Sequence, residues 1–281
     1  MSKFEKFITI RNGAKRSDPS VSNLGVLGLP PETRAIHILW IYPDVLEMHG
    51  GRGDAMALLH FSNLMELPCE LRRLNTLEEE IPFEWADLML FPSGDLSCMA
   101  DLSRALMGKK EAFQRFADGG GLILAIGSTG AVLAKQTAWL SGSVSPGLGL
   151  LGMEMTQRRT VFGDDLWVRL EDGSELTATQ VQLADVKLLP GQEPFAQVIY
   201  GRGNCGDGLE GARTGSVIFT HCLGPVLTKN PHFAEALLRQ CADHAGISVP
   251  KSLDPDDIAL ELQALVDVRE FVQKKMNGEI H

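Results

Sequence analysis

Cysteine is scarce, and no two cysteines form a motif. Cys69, Cys98, Cys205, Cys222 and Cys241 lie scattered through 281 residues, in odd number and without a CxxC pair. That spacing argues against a zinc knuckle or a redox dithiol, and suits free thiols in a reducing compartment. No run of about 18 apolar residues occurs, so no membrane-spanning helix is expected. The start, Met1-Ser2-Lys3-Phe4-Glu5-Lys6, lacks the apolar centre of a secretory signal. A cytoplasmic protein is the resulting expectation. Clustered lysine and arginine are also missing, and the formal net charge is -10. Nucleic-acid binding is therefore disfavoured, because neutralising phosphates needs concentrated cations. Nothing in the residue pattern calls for a metal or a cofactor, and no internal repeat is visible.

What is present is an ordinary globular composition, 44% hydrophobic and 22% charged, enough for one large or two small domains. Residues 1–34 mix Lys, Arg, Ser, Asn, Gly and Pro up to Pro30-Pro31, and read as an irregular N-terminal extension. Residues 35–43 form a continuous apolar run, a buried first strand. Helical spacing over 53–66, a short strand at 69–74 and a second apolar strand at 85–91 follow. Residues 96–116 read as helix, closed by Gly119-Gly120-Gly121, because glycine enters the left-handed region freely. The run Leu122-Ile123-Leu124-Ala125-Ile126 is a further strand that turns at Gly127-Ser128-Thr129-Gly130 into a helix from Ala131. This alternation predicts an α/β fold with a mostly parallel central sheet and helices on both faces. Ligands in such sheets sit at the carboxyl ends of the strands.

Beyond 147 the pattern becomes strand-rich, with expected strands at 149–155, 166–170, 195–200 and 216–220 and turns at Gly163-Asp164 and Asp172-Gly173. A helix is predicted after Asn230-Pro231, with Asn230 as cap and Pro231 in the first turn, ending at Gly246. A C-terminal amphipathic helix is predicted within 251–281, with Ile258, Leu262, Leu265 and Val268 as its apolar stripe. The main domain is expected over 35–250.

Four segments carry a resemblance. They are Met48-His49-Gly50-Gly51-Arg52-Gly53-Asp54, Gly147 to Leu151, the loop Gly203-Asn204-Cys205-Gly206-Asp207-Gly208-Leu209-Glu210-Gly211-Ala212-Arg213, and Gly224 to His232. In this order they resemble the GatD-type glutaminase subunits of bacterial lipid II isoglutaminyl synthase, within the class I glutamine amidotransferases that include the cobyric-acid-synthase type. The resemblance implies a flavodoxin-like sheet and a glutaminase that passes ammonia to a Mur-ligase-like synthetase partner, which amidates the D-glutamate of lipid II. It also implies a cysteine nucleophile on the strand-to-helix elbow, a histidine base and backbone N–H donors for the oxyanion.

This chain departs from that pattern at several points. Gly127 stands at the nucleophile position and Leu223 at the histidine position, with His221 two residues earlier. A two-residue step keeps the same strand face but moves the side chain by roughly 6–7 Å. The oxyanion loop, Phe91-Pro92-Ser93-Gly94-Asp95, contains Pro92, which has no N–H. A substrate-facing Asn-His pair finds no counterpart near 183–188, and the glutamine-binding arginine maps only loosely, to Arg158 or Arg159. The expectation is a catalytically degenerate subunit. Ser128 or Thr129 on the elbow stands as an alternative nucleophile with His221 as base, and a glutaminase acting through an unrecognised nucleophile is a further alternative. Gly94, Ser128 and Arg159 are the candidate ligand-binding residues, and the 127–130 turn is a candidate anion site.

Other conspicuous residues have plainer readings. His221 and Cys222 point to opposite faces and form no dyad; Cys222 reads as a buried thiol and Cys205 as an exposed one. Arg52 and Asp54 read as a solvated turn, with ligand or partner contact as the alternative. Lys229 and Asn230 read as serving a helix start, and the Glu78-Glu79-Glu80 run as solvated surface.

Overall fold

The computed structural model describes residues 20–280. The expected extension lies outside the described residues as far as residue 19, and from Ser20 the chain already joins the sheet. Strand β1 (Ser20–Ser22) runs antiparallel to β3 (Cys69–Leu74), with Ser20 opposite Arg72.

The apolar runs become a central parallel sheet. Strand β2 (Ile36–Ile41) is followed by helix α1 (Gly51–Leu64), β3, and β4 (Leu88–Phe91). Helices α2 (Leu96–Leu106) and α3 (Lys110–Asp118) follow, then β5 (Leu122–Ile126). The single helix expected over 96–116 is broken by a 3-10 turn at Met107–Lys109. Asp95 caps α2 by accepting from the Ser97 N–H at 2.8 Å. The parallel order is β3-β2-β4-β5-β13, where β13 is Val217–Thr220, and β12 (Ala212–Thr214) closes one edge antiparallel. Strands β4, β5 and β13 are buried along their whole length, as expected for a parallel sheet covered on both faces.

The second half builds a second, six-stranded and mainly antiparallel sheet that the sequence did not announce. Its spine is β8 (Met153–Arg169) paired with β9 (Glu175–Leu188). Strands β6 (Gln136–Ala138), β7 (Val144–Pro146), β10 (Ala196–Tyr200) and β11 (Leu209–Glu210) complete it. The expected strands at 149–155 and 166–170 overlap the two ends of the single strand β8, which leaves residues 149–152 and 170 outside it. The turn expected at Gly163-Asp164 is absent: both residues lie within β8, held by pairing with Val181 and Gln180 of β9. The Asp172-Gly173 turn is present and joins the two strands.

Short α4 (Gly130–Leu133) and α5 (Val226–Lys229) flank the site. Helix α6 (Pro231–Ala245) ends on left-handed Gly246, as predicted. Asn230 does not cap α6 with its side chain. Its amide instead bridges layers, accepting from the Thr177 N–H at 2.9 Å and donating to the carbonyls of Thr177 and Val226. Helix α7 (Ala259–Met276) buries Leu265 and adds Val272 to the expected stripe. Lys275 fastens its end to Asp164 and Asp165, at 2.8 and 2.7 Å. No helix among the described residues is long and apolar enough to cross a membrane.

Candidate functional site

The carboxyl ends of β4, β5 and β13 converge on the elbow. Ile126 is extended, and Gly127 then enters the left-handed region with φ +64° as the chain turns into a 3-10 segment, Gly127–Thr129. That sharp strand-to-helix turn is the backbone form that presents a nucleophile in hydrolases of related topology. Here it presents none, and the space a side chain would need is already filled. A Cβ on Gly127 would lie 2.7 Å from Ser93 Oγ and 3.0 Å from Leu223 Cδ2.

Both obstructing residues are held by the fold. Ser93 sits in the loop after β4, where its carbonyl accepts from the Met48 N–H at 2.9 Å. Leu223 follows β13 and exchanges two backbone hydrogen bonds with Thr179 of β9, at 2.9 and 3.1 Å. The second sheet thereby fixes one wall of the elbow.

The two hydroxyls of the turn are both engaged. Ser128 Oγ donates to the Gly94 carbonyl at 2.7 Å and accepts from the Gly94 N–H at 2.9 Å. Its proton is thus committed, and the Gly94 amide is committed to Ser128. Thr129 is fully buried, and its Oγ1 lies 2.9 Å from the carbonyls of Phe91 and Ile126 and accepts from the Ile126 N–H. These bonds give Ser128 and Thr129 the geometry of a loop clamp.

The elbow forms one side of a pocket of about 160 Å³. Gly94, Gly127, Ser128 and His221 all line it, so four of the residues singled out in the sequence meet in one place. Arg159 does not line it; it is exposed on β8, where the pairing with β9 slips between Gln157 and Phe162. Arg158 pairs instead with Asp185 at 2.8 Å, alongside Arg202 at 3.0 Å. Where an Asn-His pair was sought, Val181, Gln182, Leu183 and Ala184 of β9 line the pocket.

Sequence reasoning missed three lining or supporting residues: Ser93, His49 and Glu210. His49 stands at the rim with φ +58°, an unusual conformation for a residue with a Cβ, and burial of its ring holds its pKa below the ordinary 6.5. Glu210 is fully buried behind His221. Its Oε1 accepts from the Thr220 hydroxyl at 2.8 Å and the His221 N–H at 2.6 Å, and its Oε2 lies 3.1 Å from His221 Nδ1. Glu210 lies 11 residues from His221, so no local spacing announces the pair. Its only signal was an acidic residue enclosed by glycines in the 203–211 loop.

The surroundings of Cys222 and Cys205 disfavour the thiolate. Burial pushes the Cys222 thiol well above its ordinary range, and burial followed by Asp207 raises that of Cys205. Asp54 is not a solvated turn residue: it is 2% exposed and accepts from the Leu227 N–H at 2.8 Å, while Arg52 is exposed. Burial pushes the Asp54 carboxyl up to about 7, with the Leu227 hydrogen bond opposing. Among the described residues no group of His, Cys, Asp and Glu is placed to hold a metal ion.

Comparison with known proteins accords with this architecture. No family model matches the chain. It is 23% identical over 206 residues to the lipid II isoglutaminyl synthase (glutamine-hydrolyzing) subunit GatD of Streptococcus pneumoniae (strain ATCC BAA-255 / R6), covering 72% of this chain and 79% of that one. Among solved structures, that of PurLQS from Thermotoga maritima superposes with a TM-score of 0.52 at 12% identity, over 75% of this chain and 97% of that one. A structure described as a glutamine amidotransferase gives 0.48 at 18% identity, over 74% and 99%. The chain is similar in sequence to a GatD subunit over most of its length, and it has the α/β fold expected from its sequence, shared with the PurLQS structure.

Proposed function

We propose that the protein is a GatD-like subunit that has given up cysteine-based glutamine hydrolysis and serves a Mur-ligase-like synthetase in amidating lipid II or a related cell-wall precursor in the cytoplasm. The observation that carries this reading is the elbow. Gly127 keeps the turn of a nucleophile position, while Ser93 and Leu223 occupy the space its side chain would need. A single substitution in an otherwise open site would suggest a recent accident. Here the nucleophile, the histidine position and the Gly94 amide are all committed to packing or internal hydrogen bonds. Glutamine hydrolysis needs a nucleophile, a base and free oxyanion donors together. The kinship with a GatD subunit supports the partner half of the reading.

The test is co-expression with a Mur-ligase-like synthetase, followed by native purification and an ammonia-release assay with glutamine. The expected result is a stable complex that makes its amide from free ammonium and releases no ammonia from glutamine. Glutamine-dependent release that survives purification, or failure of the two chains to associate, overturns the proposal. The Gly127→Cys variant is expected to release no ammonia, since Ser93 and Leu223 block the new side chain.

A further inference from the structure

We infer that the pocket beside the elbow is a binding site for a small primary ammonium ion, either ammonium itself or a short alkylammonium. The inference deepens the subunit reading by naming where a nitrogen donor is gathered. That use rests on the subunit reading, whereas the binding rests on the pocket alone.

The first observation is an acceptor without a partner. His221 is 4% exposed and lines the pocket. Glu210 Oε2 faces its Nδ1 at 3.1 Å and keeps the ring proton there, so Nε2 of the neutral ring carries a lone pair. Among the described residues the one hydrogen-bonding neighbour of Nε2 is Gln182 Nε2, at 3.5 Å. Both protons of that amide are already donated, to Ala184 O at 2.9 Å and Asn204 O at 2.8 Å. A buried acceptor left without a donor is costly, and its complement is an N–H or O–H group inside the pocket.

The second observation is that the lining side chains offer lone pairs and no positive charge. Ser128 Oγ gives its proton to the Gly94 carbonyl and takes that of the Gly94 amide. It can therefore only accept from Ser93 Oγ, 3.4 Å away, and the lone pairs of Ser93 stay unused. No lysine or arginine lines the pocket, and its acidic lining residue is Asp95. Burial holds the His49 ring below the ordinary 6.5, so that ring is neutral near pH 7. An anion finds no counter-charge among these side chains, while a cation with several N–H groups finds acceptors and a carboxylate.

The third observation is the shape and polarity of the wall. The pocket is about 160 Å³, and Met48, Leu96, Met155, Val181 and Leu183 make much of it apolar, which suits an alkyl chain of a few carbons behind the ammonium group. An amino acid fits poorly. Its carboxylate needs a cation, and Arg159 stands exposed on β8 outside the pocket.

The test is a titration of the full chain, carrying carbon-13 methionine methyl groups, with n-propylammonium chloride followed by nuclear magnetic resonance at about pH 8, where a primary amine stays protonated and an ordinary imidazole is neutral. Saturable shifts of the Met48 and Met155 methyl signals are expected, and potassium chloride, propan-1-ol and sodium acetate at equal concentration leave them in place. His221→Phe weakens binding by about 10-fold or more. Asp95→Asn keeps a capping side chain on α2 and weakens binding by about 2- to 5-fold. Thermal melts confirm that each variant is folded, and Asp95→Asn decides the matter should His221→Phe not fold. The inference is overturned by an absence of saturable shifts, by equal shifts with potassium or propan-1-ol, by binding of acetate in place of the cation, or by wild-type affinity in the variants. The titration needs no synthetase. A complex that forms while the pocket takes no ammonium ion leaves the subunit reading standing and removes this one, and binding without a complex does the reverse.

Discussion

On one side of the pocket, Ser93 Oγ and Leu223 Cδ2 occupy the space that a Cβ on Gly127 would need. On the other, His221 keeps a buried carboxylate partner and faces the cavity. One wall leaves no room for a side chain at position 127, while the other holds a buried carboxyl group with three specific partners. Buried ionisable groups are costly unless every lone pair is used. The histidine wall therefore tolerates change far less than the elbow wall, and the two are separable by mutation.

The largest expected effect falls on the histidine wall. Glu210→Ala leaves the Thr220 hydroxyl, the His221 N–H and the ring of His221 without their acceptor, and should cost about 3–5 kcal/mol in denaturant unfolding. A cost near zero would mean that the wall is not an organised network. On the elbow wall, Gly127→Ala combines a left-handed φ with two close contacts, and should cost about 1–3 kcal/mol. Adding Ser93→Gly should recover part of that loss. No recovery would show that backbone conformation alone, not packing, keeps position 127 a glycine.

Asp54 sharpens the contrast, because it is a buried carboxylate with one hydrogen bond where Glu210 has three. Its folded pKa, raised to about 7 from an ordinary 3.8, exceeds the unfolded one. The folded state then holds the proton more tightly, so this stabilisation is present below pH 3.8 and lost as pH rises to about 7. Asp54→Asn should flatten that limb and raise stability by about 1 kcal/mol or more at pH 8, read from melts across pH. An unchanged pH dependence would move the titration elsewhere. Smallest is Ser128→Ala, which removes the bridge to Gly94 and should cost about 0.5–1.5 kcal/mol.

The two halves of the chain differ equally in how readable they were. Cys69–Leu74 and Leu122–Ile126 emerged with their observed bounds, because a buried parallel strand is an apolar run closed by a turn signal. Strand β8 did not. Its middle carries Thr156, Gln157, Arg158, Arg159 and Thr160, and Gly163-Asp164 is a turn dipeptide wherever no neighbour intervenes. The neighbour here is β9, whose buried polar residues Thr177, Gln180 and Gln182 hide its strand character. Within the site, Gly127, Leu223 and His221 were legible from motif position. Ser93 and Glu210 were not, because their roles come from contacts across loops. Asp54 looked solvated for the same reason: its partner, Leu227, is 173 residues away.

The order of strands in the parallel sheet also has a consequence during synthesis. Strand β5 pairs with β4 on one side, but its other neighbour, β13, begins only at Val217. At ribosomal rates of roughly 5–20 residues per second, the intervening chain of about 90 residues takes about 5–18 s to make. Throughout that interval the apolar edge Leu122–Ile126 is an open template for pairing with another chain. The nascent protein is therefore at its most chaperone-dependent after the elbow has been made and before the histidine wall exists.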